Sequence, residues 1–311
     1  MTDMEAVSHT PVLRDAVLEG LAVRADGFYV DGTFGRGGHS RAILEHLGPD
    51  GRLLAMDRDP EAGAAAAAFT DDSRFSFEAA PFSTMAATLQ QRSPDRGPDG
   101  VFLDLGVSSP QLDTPERGFS FQHDGPLDMR MDPTSGASVA DWLAAADEAE
   151  IADVIYHYGE ERHSRRIARA IVAARAETPI TRTGELAEIV RRAVPKREPG
   201  KHPATRTFQA LRIFVNEELA ELEQWLATIP DALPSGARLV VISFHSLEDR
   251  MVKQALRKPV ANVRLPRGLP VMLEEPERKL RPVGKPVHAD REEQRINPRS
   301  RSAVLRVGER L

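Results

Sequence analysis

The chain has 311 residues, of which 41% are hydrophobic and 28% are charged, and its net charge is −6 at pH 7. This length allows two domains, or one domain with a large insertion. The chain contains no cysteine, which excludes disulfides, thiolate zinc sites and a cysteine nucleophile. No apolar run has the length of a membrane span, and the acidic N-terminus lacks the apolar core of a secretory signal, so we expect a cytoplasmic protein.

An apolar strand followed by a glycine-rich loop is the first informative element. The strand covers residues 28–31, Gly35, Gly37 and Gly38 lie in the loop, and a helix is predicted over 38–47. Glycine lets the backbone approach a ligand closely because it has no Cβ atom. The N–H groups at the start of a helix can bind a polar or anionic group. The pattern therefore indicates a ligand site between strand and helix.

Three predicted strands end in an aspartate: Asp31, Asp57 and Asp104 each close an apolar run. The carboxyl ends of parallel strands meet at one edge of a sheet, where open α/β folds bind their ligands. Asp57 lies about 20 residues beyond the glycines, where a nucleotide fold places the carboxylate that binds a ribose hydroxyl. The three aspartates and the loop together predict a nucleoside-type ligand.

Alternating strand and helix patterns run from residue 28 to 107 and then stop. The remaining predicted elements are strands near 52–57, 75–79, 100–105 and 238–244, helices near 60–69, 83–91, 205–227 and 246–257, a loop-like stretch over 110–136, helical patterns over 138–193, and an antiparallel pair of strands at 285–289 and 302–308. We therefore predict an α/β domain with a doubly wound sheet, formed by residues 1–110 and 204–311. A helical insertion over 111–203 interrupts it.

The glycine loop matches one class of nucleotide fold better than two others. A triphosphate-binding loop needs Gly-Lys where this chain has Gly38-His39. A dinucleotide loop needs glycine or alanine where this chain has Ser40. The acid-x-Gly-x-Gly-x-Gly loop of S-adenosylmethionine-dependent methyltransferases fits better, although Thr33 stands in place of its first glycine.

The segment after the fourth strand carries a second signal. In amino-methyltransferases this place holds an Asp/Asn/Ser-Pro-Pro-aromatic motif, whose acceptors hold the hydrogens of the target amine and aim its lone pair at the methyl carbon. Ser109-Pro110 keeps the first part of that motif, but the second proline is missing and Gln111 follows Pro110. Ser109 and Pro110 are therefore candidate catalytic residues. An ordinary strand-end loop is the structural alternative.

Several long phrases, in this order, resemble one protein family. They are His9-Thr-Pro-Val-Leu13, Asp31-Gly-Thr-Phe-Gly-Arg-Gly-Gly-His-Ser40, Asp104-Leu-Gly-Val-Ser-Ser-Pro-Gln111, Arg117-Gly-Phe-Ser-Phe121, Pro126-Leu-Asp-Met-Arg-Met131, Arg206-Thr-Phe-Gln-Ala-Leu-Arg212, Asn216-Glu-Glu-Leu219, Ser243-Phe-His-Ser-Leu-Glu-Asp-Arg250 and Asn297-Pro-Arg-Ser-Arg-Ser302. Together they are similar to the bacterial 16S rRNA (cytosine-N4)-methyltransferases of the RsmH or MraW family. The resemblance covers nearly the whole chain.

This resemblance implies transfer of a methyl group from S-adenosylmethionine to N4 of a cytosine in the ribosomal decoding centre. It implies a class I methyltransferase domain with an inserted helical, substrate-recognising domain, and 16S rRNA in the small ribosomal subunit as partner. Carried over by position, it implies that the cofactor is bound by Gly37, Gly38, His39, Asp57 at the ribose, Phe82 near the adenine, Asp104 and Gln111. The lack of cysteine agrees, because methylation at pyrimidine C5 normally requires a cysteine that adds to C6. No metal is expected.

Candidate substrate-side residues follow the strand that ends near residue 244. Phe244 is a candidate to stack on the cytosine, and His245 is a candidate to accept a hydrogen bond or a proton. His245 could equally be a residue at the start of a helix that only bonds to the backbone. Glu248 could be an ordinary first-turn charge.

Basic residues cluster in two places that could bind RNA phosphates despite the acidic total. Arg162, Arg165, Arg166 and Arg169 fall on one predicted helix. We favour the second cluster as the RNA contact, because Glu198 is its only acid; its candidate residues are Arg191, Arg192, Lys196, Arg197, Lys201 and Arg206.

Three functions are compatible with these patterns. The first is the rRNA cytosine-N4 methyltransferase, for which a DNA amino-methyltransferase is a near relative. The second is a nicotinamide-dependent oxidoreductase, against which the broken dinucleotide loop argues. The third is a noncatalytic ribosome-assembly factor with a relic nucleoside pocket.

Overall fold

The computed structural model describes residues 11–93, 95–195, 202–257 and 278–311. Seven strands form one sheet in the order β3-β2-β1-β4-β5-β7-β6, and the first five of these in space are parallel. β7 is antiparallel to both β5 and β6. The strands are β1 (Phe28–Asp31), β2 (Arg52–Asp57), β3 (Phe75–Ala79), β4 (Gly100–Asp104), β5 (Arg238–Ser243), β6 (Leu280–His288) and β7 (Val304–Arg310).

Between β1 and β4 the helices alternate with the strands, as predicted, whereas the described residues between β4 and β5 form helices without an intervening strand. The helices are α1 (Arg14–Leu21), α2 (Gly38–Leu44), α3 (Pro60–Ala66), α4 (Met85–Arg92), α5 (Ser109–Asp113), α6 (Val139–Ala145), α7 (Glu148–Gly159), α8 (Ser164–Glu177), α9 (Thr183–Ala193), α10 (Thr205–Val215), α11 (Glu218–Ala232), α12 (Ser246–Arg257) and α13 (Arg291–Ile296). Among the described residues, no helix is long and apolar enough to cross a membrane. The expected α/β fold of the methyltransferase class is confirmed.

The chain divides into two compact units. The sheet unit comprises residues 1–106 and 221–311, and the helical unit comprises residues 107–220. In the sheet unit, apolar side chains from both faces of the central strands are buried, as expected for parallel strands with helices on each side. Val30, Phe102 and Val241 are fully buried examples. This rigid base carries the strand ends where the three aspartates lie.

The helical unit has a separate apolar core. Ile151 and Ile155 of α7, Ile167 and Ile171 of α8, and Leu211 of α10 are fully buried in it. α10 belongs to this core because α7 and α10 pack together, whereas the predicted boundary at 203/204 would place it with the sheet. Assigning separate functions to these segments, with boundaries at 110 and 204, stays a prediction.

Two predicted features of this region differ in the structure. The helix predicted over 205–227 is two helices, because the chain turns at Glu217, whose φ is 53°. The neighbouring Asn216 holds the turn: its Nδ2 donates to the carbonyl of Met129 at 2.7 Å, and its Oδ1 accepts from the N–H of Met131 at 2.7 Å. Part of the stretch predicted as loop, moreover, forms the short helix α5.

Candidate active site at the carboxyl edge of the sheet

The loop after β1 is fixed to both neighbouring strands. The N–H of Gly32 donates to the carbonyl of Phe102 in β4 at 2.9 Å, and the N–H of Phe34 donates to the carbonyl of Met56 in β2 at 3.0 Å. Thr33 accepts a hydrogen bond at Oγ1 from the N–H of Asp104 at 2.6 Å. Its hydroxyl explains why threonine can replace the usual glycine: it links the loop to the end of β4.

The glycines of the loop accommodate neighbouring side chains of the protein itself. Gly37 has a φ of 76°, and a Cβ atom there would lie 2.5 Å from the ring of Phe69 and 2.7 Å from that of Phe34. A Cβ atom at Gly38 would lie 2.8 Å from the Pro11 ring. The sequence predicts ligand approach as the reason for these glycines, and the structure adds packing at both positions and a left-handed backbone at Gly37.

Asp31 is fully buried beneath this loop. Its carboxylate accepts hydrogen bonds from the hydroxyl of Ser40 at 2.7 Å and from the N–H of Thr33 at 3.1 Å. Burial raises the pKa of Asp31 to about 6, against the opposing effect of these hydrogen bonds. Asp31 therefore joins the end of β1 to the start of α2.

Asp57 holds the loop from the side of β2. Its Oδ2 accepts from the N–H of Gly35 at 2.8 Å, and its Oδ1 accepts from the N–H of Asp59 at 2.9 Å. Burial raises the pKa of Asp57, although both hydrogen bonds oppose this effect. Each carboxylate oxygen has a second lone pair, so Asp57 can accept a further hydroxyl while it holds the loop.

The buried His39 faces the partly buried Asp104. His39 Nε2 lies 3.6 Å from Asp104 Oδ2, which is too long for a hydrogen bond. Both ring nitrogens of His39, and Oδ1 of Asp104, are buried without a hydrogen-bond partner among the described residues. Burial lowers the pKa of His39 to about 3 and raises that of Asp104 to about 8. At neutral pH both groups are therefore predominantly uncharged.

A further acidic group follows the neighbouring strand β5. Glu248 is 2% exposed, and its Oε2 accepts from the N–H of Phe244 at 3.0 Å and from that of His245 at 3.3 Å. Oε1 of Glu248 lies 3.0 Å from His245 Nε2. The negative charge of Glu248 contributes to the raised pKa of Asp104. The sequence does not indicate this role of Glu248, because only its burial distinguishes it from a solvated first-turn acid.

The remaining sheet-unit candidates lie around the same edge. Phe244 is partly buried and contacts the position that a Cβ atom of Gly106 would occupy, at 3.6 Å. Phe82 lies on the chain after β3 and meets the ring of Trp225 edge to face, with centroids 6.4 Å apart. Ser243, the last residue of β5, has a buried hydroxyl without a partner in the described part of the chain. The edge thus combines aromatic surface with unsatisfied buried polar atoms.

These residues suit a nucleoside-type cofactor that carries a positive charge. Unsatisfied buried acceptors are unfavourable unless a ligand donates to them. Asp104 supplies such an acceptor, which becomes anionic when it loses its proton, and Asp57 retains free lone pairs. The chemistry of this donor and acceptor set therefore fits hydroxyl, amine and sulfonium groups.

Three candidate residues belong to the helical unit. Ser109 and Pro110 are the first two residues of α5, and Gln111 is 5% exposed. Gln111 completes a capping box: its Oε1 accepts from the N–H of Ser108 at 2.9 Å. Gln111 is therefore a buried cap and not the solvated glutamine that its loop context suggests.

Half of the favoured RNA-binding residues lie in the described chain. Arg191 and Arg192 both bind the carboxylate of Glu188, at 2.5 and 2.6 Å, and Arg206 lies 3.9 Å from Glu161. Glu188 precedes the cluster in sequence, yet one helical turn places it beside both arginines. Lys196, Arg197 and Lys201 fall outside the described residues.

Comparison with known proteins identifies the family of this chain. Residues 6–311 match the model of the MraW methylase family. The chain is 59% identical, over 313 aligned residues and the full length of both proteins, to the ribosomal RNA small subunit methyltransferase H of Thioalkalivibrio sulfidiphilus. The predicted family and the predicted methyltransferase activity are thereby confirmed.

Similar solved structures are more distant. An rRNA methylase from Streptococcus thermophilus is 10% identical with a TM-score of 0.40, over 100% of this chain and 99% of that one. TrmN from Thermus thermophilus is 13% identical with a TM-score of 0.42, over 99% of this chain and 51% of that one. Such low similarity does not bear on the chemistry of the site. It is the family model and the full-length relative that establish that the chain belongs to the MraW methylase family.

Proposed function

We propose that this protein transfers a methyl group from S-adenosylmethionine to the exocyclic N4 of a cytosine in 16S rRNA, by direct transfer without a covalent enzyme intermediate. The full-length relative, named for methylation of small-subunit ribosomal RNA, supports this substrate. The observation that carries the cofactor is the group of unsatisfied buried polar atoms on His39 and Asp104. In this proposal the reaction takes place in the bacterial cytoplasm, on the small ribosomal subunit.

The chain's own residues provide the cofactor site in this proposal. Asp57 accepts the ribose hydroxyls with the lone pairs that Gly35 and Asp59 leave free. The loop backbone at Gly35, Gly37, Gly38 and His39 lines the cofactor, and Phe82 packs near its adenine. Asp104 and Gln111 complete the pocket. When bound, S-adenosylmethionine supplies a methyl group on a cationic sulfur.

The substrate side needs acceptors for the hydrogens of a weakly nucleophilic amine. In this proposal Ser109 and the backbone at Pro110 accept those hydrogens and so aim the lone pair at the methyl carbon. Phe244 stacks on the cytosine, and His245 accepts a hydrogen bond or the leaving proton. The target base must leave any stack to reach this site.

The helical segment 111–203 recognises the substrate in this proposal, and residues 1–110 with 204–311 carry the chemistry. Arg191, Arg192, Lys196, Arg197, Lys201 and Arg206 bind RNA phosphates. The ion pairs with Glu188 do not prevent this, because exposed pairs are weak and screened by salt.

The decisive experiment supplies labelled S-adenosylmethionine to small ribosomal subunits from cells that lack this protein. Mass spectrometry of the modified nucleoside identifies the product. We expect N4-methylcytidine. Another methylated nucleoside would overturn the assigned target. Cofactor binding without transfer to subunits or to free 16S rRNA would favour a noncatalytic assembly factor, and loss of both would overturn the cofactor site itself.

A further inference from the structure

The helix α8 presents one face that is rich in arginine. Arg165, Arg166 and Arg169 are exposed, and Arg162 is exposed just before the helix begins. The opposite face of α8 is buried in the helical core through Ile167, Ala168 and Ile171. Positions three and four residues apart lie on the same side of a helix, so Arg169 lies beside both Arg165 and Arg166. Together with Arg162 we call these residues the arginine strip.

The charges of this strip are largely uncompensated. Among the described residues, only Arg169 has a carboxylate within 4 Å, namely that of Glu148 at 3.6 Å. Arg162, Arg165 and Arg166 have no ion-pair partner there. By contrast, Arg191 and Arg192 share Glu188, and Arg206 approaches Glu161. The strip is therefore a stronger local cation than the described part of the cluster favoured by sequence.

An exposed aromatic residue lies near the same end of the helix pair. α7 ends at Gly159 and α8 starts at Ser164, so the last turn of α7 adjoins the first turn of α8. Tyr156, in that last turn, is 55% exposed, whereas most large hydrophobic side chains of the described chain are covered. Its ring meets that of His157 edge to face, with centroids 5.1 Å apart.

We propose that Arg162, Arg165, Arg166 and Tyr156 form a second RNA-binding surface, which contacts the ribosomal RNA outside the target cytosine. The inference rests on the proposed function and names an additional contact for its substrate. Unpaired guanidinium groups bind phosphate oxygens bidentately. An exposed tyrosine offers a stacking surface for an unpaired base, which an acidic protein partner would not require.

The test compares two triple variants with the same loss of charge. Arg162→Gln/Arg165→Gln/Arg166→Gln, the strip variant, removes the three arginines of the strip that lack an ion-pair partner among the described residues. Arg52→Gln/Arg92→Gln/Arg96→Gln, the control variant, removes three exposed arginines at the amino edge of the sheet. Binding of a labelled single-stranded oligocytidylate and of small ribosomal subunits is measured between 50 and 200 mM salt, a range over which phosphate contacts weaken strongly. Cofactor affinity and circular dichroism verify that each variant is folded.

We expect the strip variant to bind both RNA probes about tenfold more weakly at low salt, with a salt slope smaller by roughly two. The control variant should bind as the wild type does. Arg162→Lys/Arg165→Lys/Arg166→Lys should retain most of the slope, because lysine keeps the charge. Tyr156→Ala should weaken binding without changing the slope.

Two results would overturn the proposal. One is an unchanged affinity and slope in the strip variant, and the other is an equal loss in strip and control variants, which would indicate general charge attraction. Because RNA binding by the wild type is measured without methyl transfer, failure of this surface is distinguishable from failure of the proposed reaction. Wild-type protein that methylates subunits, with a strip that leaves RNA binding unaffected, would refute only this inference.

Discussion

At the scale of single residues, the pairing of His39 with the partly buried Asp104 has the clearest chemical consequence. The two groups lie 3.6 Å apart, and burial keeps each near neutrality at pH 7 by shifting their pKa values in opposite directions. A nearby cation favours the charged form of a carboxylate. We therefore expect the cationic cofactor to bind together with proton release from Asp104.

This expectation predicts a pH-dependent cofactor affinity. Below a pKa of about 8, Asp104 must lose its proton to meet the sulfonium, so affinity should rise toward a tenfold gain per pH unit between pH 6 and 8. Calorimetry in buffers of different ionisation enthalpy measures the released proton. Asp104→Asn should abolish the slope. His39→Asn should keep it, since His39 titrates only near pH 3, and a slope that survives in Asp104→Asn would contradict the assignment.

Asp57→Ala should lose cofactor binding for two reasons. It removes the proposed acceptor of the ribose hydroxyls and also the acceptor for the N–H of Gly35 in the loop. Loss of the loop anchor predicts a moderate destabilisation as well, about 1–3 kcal/mol. Titration calorimetry and thermal unfolding report the two effects separately. The exposed Asp71→Ala is the control, and unchanged cofactor affinity in Asp57→Ala would reject the ribose assignment.

At the scale of elements, the loop between β1 and α2 is a connector of three strands. Thr33→Val keeps the shape of the side chain but leaves the N–H of Asp104 without its acceptor. We expect a loss of about 1–3 kcal/mol in the free energy of unfolding, together with weaker cofactor binding. Denaturant unfolding measures the loss. Thr33→Ser keeps the hydroxyl and should behave as the wild type, and equal effects of both substitutions would point to packing.

The parallel strands were predictable because short, mainly apolar runs bounded by turns carry a local signal, which the β-branched residues of β5 strengthen. α1 was missed for a local reason: its preceding residue, Leu13, has a left-handed backbone and provides no side-chain cap. The break at Glu217 was missed for a distant one, since Asn216 is held by Met129 and Met131, about 85 residues away in sequence. Proline often ends a helix, but Pro230 lies inside α11.

The candidate site was predictable to a similar degree. Asp31, Asp57 and Asp104 could be placed at one edge from strand order alone. Glu248 could not, because an acid in the first helical turn is common and only its burial beside β5 distinguishes it. The capping role of Gln111 was hidden for the same reason.

At the scale of the whole molecule, RNA binding must overcome a net charge of −6. Local arginine clusters can do this because screening limits the reach of distant acids to about a Debye length. If the helical unit binds RNA as proposed, we expect the placement of its arginines, and not the total charge of the protein, to determine the affinity.

The cluster near Glu188 can be tested with two variants that should change the affinity for RNA in opposite directions. Arg191→Glu/Arg192→Glu should weaken RNA binding and reduce its salt slope by roughly two, if these arginines contact phosphates. Glu188→Gln should instead strengthen binding, because it releases both arginines from their shared carboxylate. Filter binding at several salt concentrations reports both. An unaltered slope in the double variant would assign this cluster to solvated surface.

The protonated carboxyl groups of Asp31 and Asp104 also link cofactor binding to the stability of the folded state. The native state retains protons on Asp31 up to about pH 6 and on Asp104 up to about pH 8, whereas the unfolded chain releases them near pH 4. Between pH 7 and 8, above the ordinary histidine pKa of 6.5 that His39 has in the unfolded chain, unfolding becomes easier by at most about 1.4 kcal/mol per pH unit. A bound sulfonium removes this alkaline penalty by stabilising the carboxylate. In mildly alkaline medium the methyl donor would thus also protect the enzyme against unfolding. The product that remains after methyl transfer, whose sulfur is uncharged, would protect it less.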